Sequence, residues 1–231
     1  RERAVASMNW HASASYLATI CPDPSVLVMD VGSTTTDITL CLQGKLQVYG
    51  WTDAERMQCG GLLYSGVVRT PLMAFGHRLP WQGRLHYLAA EYFATTADVY
   101  RLLGQLPSQH DLADTADGQD KSIDASMRRL ARMVGADASD QPPQAWQALA
   151  QAFAHRQLAW MQEAVTDALV HSATSPCLVG LGAGAFLLPG LASQLELTYQ
   201  PASRWVVADS PALHAMAMVC FPAYAVARLW Q

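Results

Sequence analysis

The segment Val26–Leu42, VLVMDVGSTTTDITLCL, joins a short apolar run to a turn of small hydroxylated residues and then to a second β-rich run. Four apolar residues open the segment, two of them β-branched, and they predict a buried strand that ends near Asp30. After the turn, Ile38, Leu40 and Leu42 alternate with Thr39 and Cys41, which predicts a returning strand. The segment is therefore expected to form a strand, a tight turn and a second strand.

The turn has the composition of a phosphate site. Glycine lets the backbone approach a ligand closely, and successive amide N–H groups can bind an anion with hydroxyls as extra donors. The predicted phosphate-binding residues are Gly32, Ser33, Thr34, Thr35 and Thr36. Asp30 and Asp37 flank the turn and suit a divalent ion such as Mg²⁺, held directly or through water. The alternative is an ordinary hairpin, with threonines chosen for β propensity and aspartates for turns.

Composition narrows the classes of function. The 231 residues are 51% hydrophobic and 15% charged, enough to bury a substantial core, and the net charge is −4. No basic cluster stands out, so a nucleic-acid partner is not expected. The sequence shows no apolar run of about 18 residues and no signal-peptide pattern, which argues against a membrane or secreted protein. The five cysteines are isolated, and reduced thiols in a cytoplasmic protein are the simplest interpretation.

Local signals predict several further elements. Gln43-Gly44 is a candidate two-residue hairpin turn. The other expectations are a polar loop at Trp51–Arg56, a long helix at Gln144–Ser172, a strand at Arg204–Val207, and a helix that starts at Pro211 after an Asp209-Ser210 cap and runs to about Leu229.

A second informative stretch is Cys177–Leu191, CLVGLGAGAFLLPGL. A short strand runs into Gly180, Gly182 and Gly184, and a helix is expected from Phe186. Glycines in this position let a nucleotide or another substrate lie against the backbone and the helix N-terminus. The spacing does not fit the dinucleotide-binding fingerprint G-x-G-x-x-G, so the stretch alone is a weak signal.

Three side chains are further candidates. Arg69, next to Thr70, is suited to clamp an oxyanion because guanidinium is a planar bidentate donor; the alternative is a surface arginine in a loop. Glu91 and Asp98 lie in a stretch of polar residues that is otherwise apolar enough to be buried. The alternative for that stretch is only a helix cap at Thr95 or Thr96.

The order of hairpin, helical insertion, Gly-rich turn and helix resembles the second half of the actin, hexokinase and heat-shock-chaperone superfamily. The resemblance implies an α/β, ribonuclease-H-like domain with a helical insertion that lacks most of the first domain. Residues 1–20 would be a connecting helix from a missing N-terminal domain, and residues 21–231 the second actin-like domain. Residues 60–140 would form an inserted, mostly helical subdomain.

Seven strings carry a more specific resemblance: MNWHA, DVGSTTTDI, TDAERM, YSGVVRTPL, AAEYFATTADVYRLLG, TADG and RLARMVGAD. Together they resemble the hydantoinase/oxoprolinase-related proteins linked to tetrahydromethanopterin-dependent one-carbon transfer. The resemblance is dense over Arg1–Ala136 and looser beyond Gln144. It implies a transferase of methylofuran biosynthesis, which joins a furanmethanamine diphosphate to the phenol oxygen of γ-glutamyltyramine and releases pyrophosphate.

On that resemblance, the diphosphate is expected at the Gly32–Thr36 turn, Mg²⁺ at Asp30 and Asp37, and an auxiliary phosphate contact at Arg69. Glu91 or Asp98 would accept the phenol proton. The partners are then small molecules, ATP is not expected as a cofactor, and a homo-oligomer is compatible with the sequence. Two alternatives stay open: an ATP-dependent enzyme or kinase that uses Gly180–Gly184 for adenosine, and a non-catalytic partner of one-carbon enzymes.

Overall fold

The computed structural model describes residues 8–170 and 175–230. Within them the helices are α1 (Asn9–Ile20), α2 (Asp53–Gln58), α3 (Thr96–Leu102), α4 (Ile123–Met133), α5 (Pro143–Leu169), α6 (Leu188–Gln194), α7 (Pro211–Val219) and α8 (Phe221–Leu229). The strands are β1 (Ser25–Val31), β2 (Thr36–Leu42), β3 (Lys45–Leu46), β4 (Leu62–Leu63), β5 (Arg78–Trp81), β6 (Arg84–Tyr87), β7 (Cys177–Leu181) and β8 (Tyr199–Pro201). The chain divides into two compact units. The first contains residues up to Tyr64 and from Met161 onward, and the second is Ser65–Trp160.

A mixed sheet forms the centre of the first unit. Its strands run in the order β3-β2-β1-β7-β8, and β4 pairs with the beginning of β2. Strand β1 is antiparallel to β2 and parallel to β7, which is in turn parallel to β8. Because β1 and β7 are parallel, the loops that follow them leave the sheet at the same edge. The mixed α/β class predicted from the sequence is confirmed.

The hairpin between β2 and β3 has the two-residue turn that the sequence predicts. Gln43 and Gly44 adopt φ angles of 50° and 73°, and two successive left-handed residues are what a type I′ turn requires. Gln82 and Gly83, with φ angles of 48° and 73°, form the same kind of turn between β5 and β6. The sequence interpretation missed this second hairpin although the dipeptide is identical.

The apolar core of the first unit lies between one face of the sheet and helices α1 and α8. Leu17 of α1, Val28 of β1, Val179 of β7 and Phe221 of α8 are all buried in it. Each such side chain contributes roughly 1.5–3 kcal/mol on burial. The core therefore fixes the strands that carry the two glycine-bearing turns.

The second unit combines helices α3, α4 and the first part of α5 with the β5–β6 hairpin. Trp81 of the hairpin stacks on Trp146 of α5 with 5.4 Å between ring centroids. The Nε1–H of Trp81 also donates a hydrogen bond to the Ala145 carbonyl at 2.9 Å. The hairpin is thus tied to α5 by an apolar contact and a polar one.

Helix α2 corrects the polar loop expected at Trp51–Arg56. Thr52 and Glu55 form a capping box, in which each side chain accepts a hydrogen bond from the backbone N–H of the other residue. The T-x-x-E pattern of this capping box is visible in the sequence, although no apolar run follows it.

The last part of the chain differs from the prediction in two places. The strand expected at Arg204–Val207 is largely a 3-10 helix, Ala202–Trp205, and the strand β8 comes before it. The single helix expected to reach Leu229 is broken into α7 and α8, which are bent by 100° at Cys220. Pro222 explains the break, because proline lacks an N–H and clashes with the preceding turn of a helix.

Other helices agree with the sequence. Ser210 caps α7 by accepting a hydrogen bond from the Leu213 N–H, and Pro211 occupies its first turn. Helix α5 matches the predicted long helix at its start, while the predicted end at Ser172 lies outside the described residues. In the part of the chain that the structure describes, no single helix is long and apolar enough to cross a membrane; only the bent pair α7 and α8 together reach that length and composition.

Candidate functional site

Two glycine-bearing turns from distant parts of the sequence meet at one edge of the first unit's sheet. Asp30 near the end of β1 lies opposite Leu181 at the end of β7. The turn after β1 is closed by a hydrogen bond from the Gly32 N–H to the Thr35 carbonyl at 2.8 Å. The Gly184 N–H donates to the Val31 carbonyl at 2.8 Å, which joins the turn after β7 to β1. Edges of this kind, at the carboxyl ends of parallel strands, are where ligands bind in open α/β sheets.

The predicted phosphate-binding residues are not equally accessible. Ser33 is exposed, and Thr34 and Thr35 are half-buried. Thr36 differs because it is fully buried at the start of β2 and its hydroxyl does not face solvent. The turn can therefore offer a ligand the hydroxyls of residues 33–35, with Thr36 serving the sheet.

The two predicted metal ligands lie side by side. Asp30 and Asp37 are directly opposite each other in the β1–β2 ladder. Burial raises the pKa of Asp30 to about 7, and the negative charge of Asp37 adds to the rise. Burial also raises the pKa of Asp37, although the charge and hydrogen bond of Arg56 act against the rise. Two carboxylates this close are unfavourable in their charged forms unless a cation joins them.

Gly182 explains how the second turn approaches the acidic pair. Its φ of 88° lies in the left-handed region, and a Cβ added there would overlap Asp30 Oδ1 and the Val31 carbonyl oxygen. Gly180 has a different role. A Cβ on Gly180 would lie 2.7 Å from Leu188 Cδ1 and 2.8 Å from the Tyr199 ring, so that glycine is needed for packing.

The helix expected from Phe186 is replaced by a 3-10 helix, Ala185–Leu187, and the seven-residue helix α6. A long helix pointing its N-terminus at the turn is therefore missing from this place. Phosphate binding at this edge would depend on the turn after β1 and on the neighbouring side chains.

Arg56 is a residue of the site that the sequence interpretation missed. It lies on α2, is only 3% exposed, and its Nη1 donates to Asp37 Oδ1 at 2.7 Å. Its Nη2 donates to the Gly61 carbonyl at 2.6 Å. The capping box of α2 was the sequence signal that could have placed this arginine on a helix rather than in a loop.

The acidic pair can hold a magnesium ion if a ligand completes the coordination. Mg²⁺ in phosphate-handling sites is typically bound by one or two carboxylates plus substrate phosphates and water. Asp30 and Asp37 supply that number, and the charge of Asp37 adds to the effect of burial in raising the pKa of Asp30. Among the described residues, no group of three or more His, Cys, Asp or Glu side chains could form a protein-only metal site.

The other predicted site residues belong to the second unit. Arg69 is exposed at the end of the loop that starts at Ser65. That loop is held from within, since the Gly66 carbonyl accepts hydrogen bonds from Thr96 Oγ1 at 2.9 Å and Gln157 Nε2 at 3.0 Å. Thr70, next to Arg69, accepts from the Gly66 N–H through Oγ1 at 2.8 Å. Arg69 thus projects from a braced loop.

The two candidate bases differ in surroundings. Glu91 is exposed, and its Oε1 accepts a hydrogen bond from the Tyr92 N–H at 3.1 Å. Asp98 is 1% exposed, and it caps α3 by accepting from the Thr95 N–H at 3.1 Å. Its Oδ1 accepts from Arg101 Nη1 at 2.7 Å and Arg129 Nε at 2.8 Å. These contacts give Asp98 the capping role that the sequence left open.

Comparison with known proteins places these observations in a family. A family model described as Hydantoinase/oxoprolinase matches residues 1–221.

Two curated relatives, from Methanocaldococcus jannaschii and Methanococcus vannielii, are both named (4-{4-[2-(gamma-L-glutamylamino)ethyl]phenoxymethyl}furan-2-yl)methanamine synthase. The first is 36% identical over 133 residues, 58% of this chain and 40% of the relative. The second is 32% identical over 115 residues, 50% of this chain and 51% of the relative. The chain thus spans about half the length of the curated relatives it matches.

A solved structure shares the fold. It is the nucleotide-free structure of acetone carboxylase, an enzyme of ATP-dependent acetone carboxylation, with a TM-score of 0.50 and 14% sequence identity. The likeness covers 82% of this chain and 28% of that one. At this identity it supports the mixed α/β architecture alone.

Proposed function

Because the chain belongs to the hydantoinase/oxoprolinase family, we propose that it carries the diphosphate-binding part of a methylofuran-pathway synthase. The proposed enzyme is a transferase that condenses a furanmethanamine diphosphate with the phenol oxygen of γ-glutamyltyramine. The names of the two curated relatives support this substrate pair, since their product contains a phenoxymethyl group attached to a furan.

The single observation that carries the proposal is the meeting of the Gly32–Thr35 turn and the Gly182–Gly184 turn beside Asp30 and Asp37. Backbone amides and hydroxyls of the first turn are suited to accept an anion, and the acidic pair is suited to a cation that bridges to it. A diphosphate with a bound divalent ion has both kinds of charge.

The proposed reaction balances without an oxidant or a nucleotide. The phenol oxygen forms a bond to the methylene carbon on the furan, and the bond from that carbon to the diphosphate oxygen breaks. The electron pair of the broken bond leaves with pyrophosphate, and the phenol proton passes to a base. Catalysis then depends chiefly on stabilising the charge of the leaving group.

Each residue has a role in this scheme. The turn of residues 32–35 would bind the diphosphate, and Asp30 and Asp37 would hold Mg²⁺. When bound, Mg²⁺ would neutralise negative charge that develops on the leaving pyrophosphate. Arg69, exposed on its braced loop, would add a bidentate phosphate contact. Of the two candidate bases, Glu91 is exposed, whereas Asp98 is buried and already accepts hydrogen bonds from Arg101 and Arg129, so Glu91 is the base in this proposal.

The reaction is tested by measuring pyrophosphate release by the native, full-length protein with both substrates and Mg²⁺. We expect pyrophosphate and the aryl ether in equal amounts, and neither product when one substrate is omitted. Phosphate release from ATP without either substrate would overturn the proposal in favour of an ATPase or kinase. The absence of pyrophosphate and ether with both substrates present would also overturn it.

The binding site is tested separately by calorimetry with pyrophosphate and Mg²⁺. Thr35→Val removes a half-buried hydroxyl from the turn and should weaken binding at least about tenfold, the effect of losing a hydrogen bond to a charged group. Thr166→Val makes the same chemical change on the exposed side of α5 and should leave binding unchanged. Equal affinities of the two variants would contradict the assignment of the turn.

A further inference from the structure

Arg56 is the buried cation nearest to the acidic pair in the first unit's site. Its guanidinium carbon lies 4.1 Å from the centre of the Trp10 ring, in addition to the hydrogen bonds to Asp37 and to the Gly61 carbonyl. Arginine is rarely this buried unless it is paired. The side chain is therefore held on one face by an aromatic ring and at its tip by two acceptors.

The surrounding structure fixes the position of this arginine. Glu55 Oε2 accepts from the Trp51 N–H at 2.8 Å, which completes the first turn of α2. A Cβ on Gly50 would lie 2.6 Å from Glu55 Cβ, so the loop can pass α2 this closely only with glycine there. Helix α2, which carries Arg56, is thus packed against the loop before it and hydrogen-bonded to that loop.

Gly61 links Arg56 to the strand that carries Asp37. The Gly61 carbonyl accepts from Arg56 Nη2 at 2.6 Å and from the Ile38 N–H at 3.0 Å. The Gly61 N–H donates back to the Arg56 carbonyl at 2.8 Å. Arg56 and Asp37 are consequently held in register through a shared backbone acceptor, and the guanidinium cannot leave without breaking both connections.

A buried cation such as Arg56 changes the net charge that a ligand of this site would meet. A diphosphate placed beside Asp30 and Asp37 alone would be repelled by two carboxylates at short range. A single guanidinium on Asp37 offsets half of that negative charge. It also makes the site less attractive to a free divalent cation, so one residue has opposite effects on the two ligands.

We propose that Arg56 is a positioning residue that sets the charge balance of the site, favouring the diphosphate and restraining the binding of a free divalent cation. The inference rests on the proposed function, because it takes the turn after β1 as the diphosphate site. It adds a residue that touches Asp37 and acts on the substrate through it. Trp10 is the apolar support on which the guanidinium rests.

The test is to measure the affinity for two ligands separately in three proteins by calorimetry. The ligands are Mg²⁺ alone and pyrophosphate in the presence of a chelator, and the proteins are the parent, Arg56→Met and Arg56→Lys. Methionine keeps apolar contact with Trp10 and removes the charge, and lysine keeps the charge and loses the planar fork. Thermal unfolding of each variant shows whether it is folded.

The expected results for Arg56→Met have opposite signs. Pyrophosphate should bind about tenfold more weakly, and Mg²⁺ alone should bind about tenfold more tightly, as expected for the loss of one nearby charge in a partly buried site. Arg56→Lys should bind both ligands within about threefold of the parent. A purely structural role predicts instead that both affinities fall together, and that result would overturn the inference.

The outcomes separate this inference from the proposed function. If the parent binds no pyrophosphate with or without Mg²⁺, the proposed function fails. If the parent binds pyrophosphate only with Mg²⁺, free diphosphate is not favoured by Arg56 and the inference is overturned. If the parent binds it and Arg56→Met binds it equally well, only the role of Arg56 fails. If Arg56→Met does not fold, Arg56→Lys decides, since near-parent affinities support the charge role and loss of both ligands overturns it.

Discussion

Carboxylates lie buried in the second unit, at Asp98 and Asp111, and half-buried in the first, at Asp30 and Asp37, and their surroundings differ. In the second unit Asp98 accepts hydrogen bonds from Arg101 and Arg129, and both oxygens of Asp111 accept from Arg101. In the first unit Asp30 and Asp37 face each other, and Arg56 pairs with Asp37. Arginines match the acidic groups of one unit, whereas in the other an aspartate has another aspartate as its neighbour.

The difference shows in the pKa values. Burial alone would raise the pKa of Asp111, but the hydrogen bonds and charges of Arg101 and Lys121 outweigh it and the pKa is lowered. The pKa of Asp30 is raised to about 7 by burial and by Asp37. Carboxylates paired with arginines are typical of a structural network, while a carboxyl whose pKa is raised by burial and by a neighbouring like charge is a candidate for a binding site. We infer that the second unit's network serves stability and the first unit's pair serves a ligand.

The largest expected effect comes from breaking the network of the second unit. Arg129 is 2% exposed and pairs with Asp98 at 2.8 Å and with Asp117 at 2.9 Å. Arg129→Met leaves the Asp98 charge buried with one partner fewer and should lower the free energy of unfolding by about 3–5 kcal/mol. The measurement is chemical denaturation followed by circular dichroism.

Arg132→Met on the same helix is the matched control. Arg132 pairs with Asp137 at 3.5 Å, and the two side chains are 64% and 69% exposed. Such a surface pair contributes about 0–1 kcal/mol. If both variants lost the same stability, burial and pairing would not distinguish these arginines, and the comparison between the units would fail.

In the acidic pair of the first unit, removing a charge should raise the free energy of unfolding rather than lower it. Asp30 has a pKa of about 7 in the folded protein against about 3.9 in an unfolded chain. The folded state therefore binds the proton more tightly, so this carboxyl destabilises the fold increasingly as pH rises from about 4 to 7, and the penalty is constant above that range. In metal-free protein at pH 8, Asp30→Asn should raise the free energy of unfolding by up to about 4 kcal/mol.

Denaturation of Asp30→Asn and the parent at pH 4 and pH 8, in the presence of a chelator, measures this effect. The two proteins should be nearly equal at pH 4 and differ at pH 8. The same substitution should weaken Mg²⁺ binding, because it removes one of the two proposed ligands. A variant that is less stable than the parent at pH 8 would contradict this prediction, because it would mean that a partner stabilises the charged form of Asp30.

Features formed by residues close together in the sequence could be predicted, whereas contacts between residues far apart in the sequence could not. The strand, turn and strand of Val26–Leu42 were readable because apolar periodicity and turn composition are local. The cap formed by Thr95 and Asp98 was readable for the same reason. Arg129 lies far from Asp98 in the sequence, so its pairing depends on how α3 packs against α4, which no local pattern gives.

The candidate site was predictable in its parts and not in its assembly. The early turn and the late glycines were each identified, but their contact results from the parallel pairing of β1 with β7, and strand pairing over such a distance has no local signal. Arg56 was missed because its segment was interpreted as a loop. Even a correct helix assignment would not have shown that it reaches Asp37.

A smaller effect tests the contact between the two turns. Gly182→Ala would place a methyl group against Asp30 Oδ1 and the Val31 carbonyl at a φ of 88°. Strain and crowding together should cost about 3 kcal/mol. Gly83→Ala is the control, since its φ is 73° and nothing lies within 4 Å of an added Cβ. It should cost only about 1–2 kcal/mol.

The difference between these two glycine variants isolates the crowding against Asp30. Denaturation gives the stability of each, and Mg²⁺ titration gives the effect on the acidic pair. Gly182→Ala should weaken the ion's binding by displacing the Asp30 carboxylate, and Gly83→Ala should leave it unchanged. Identical results for the two would mean that the second turn does not constrain Asp30.

The smallest expected effect is the acid sensitivity of Asp111. Its pKa is lowered in the folded state, so it stabilises the fold at any pH above its unfolded value of about 3.9, and that stabilisation is lost as the pH falls through the folded value. At pH 7, Asp111→Asn should therefore lower the free energy of unfolding by about 1–2 kcal/mol, and the gap to the parent should narrow below about pH 4.

Asp114→Asn changes an exposed aspartate of the same loop and should have no comparable effect. The pH dependence has the sign opposite to that of Asp30, because Arg101 and Lys121 stabilise the charged form of Asp111 whereas burial and then Asp37 oppose the charged form of Asp30. Denaturation curves at pH 3, 5 and 7 for both aspartate variants test this, and a gap for Asp111→Asn that widens towards pH 3 would contradict the matched-charge explanation of the second unit.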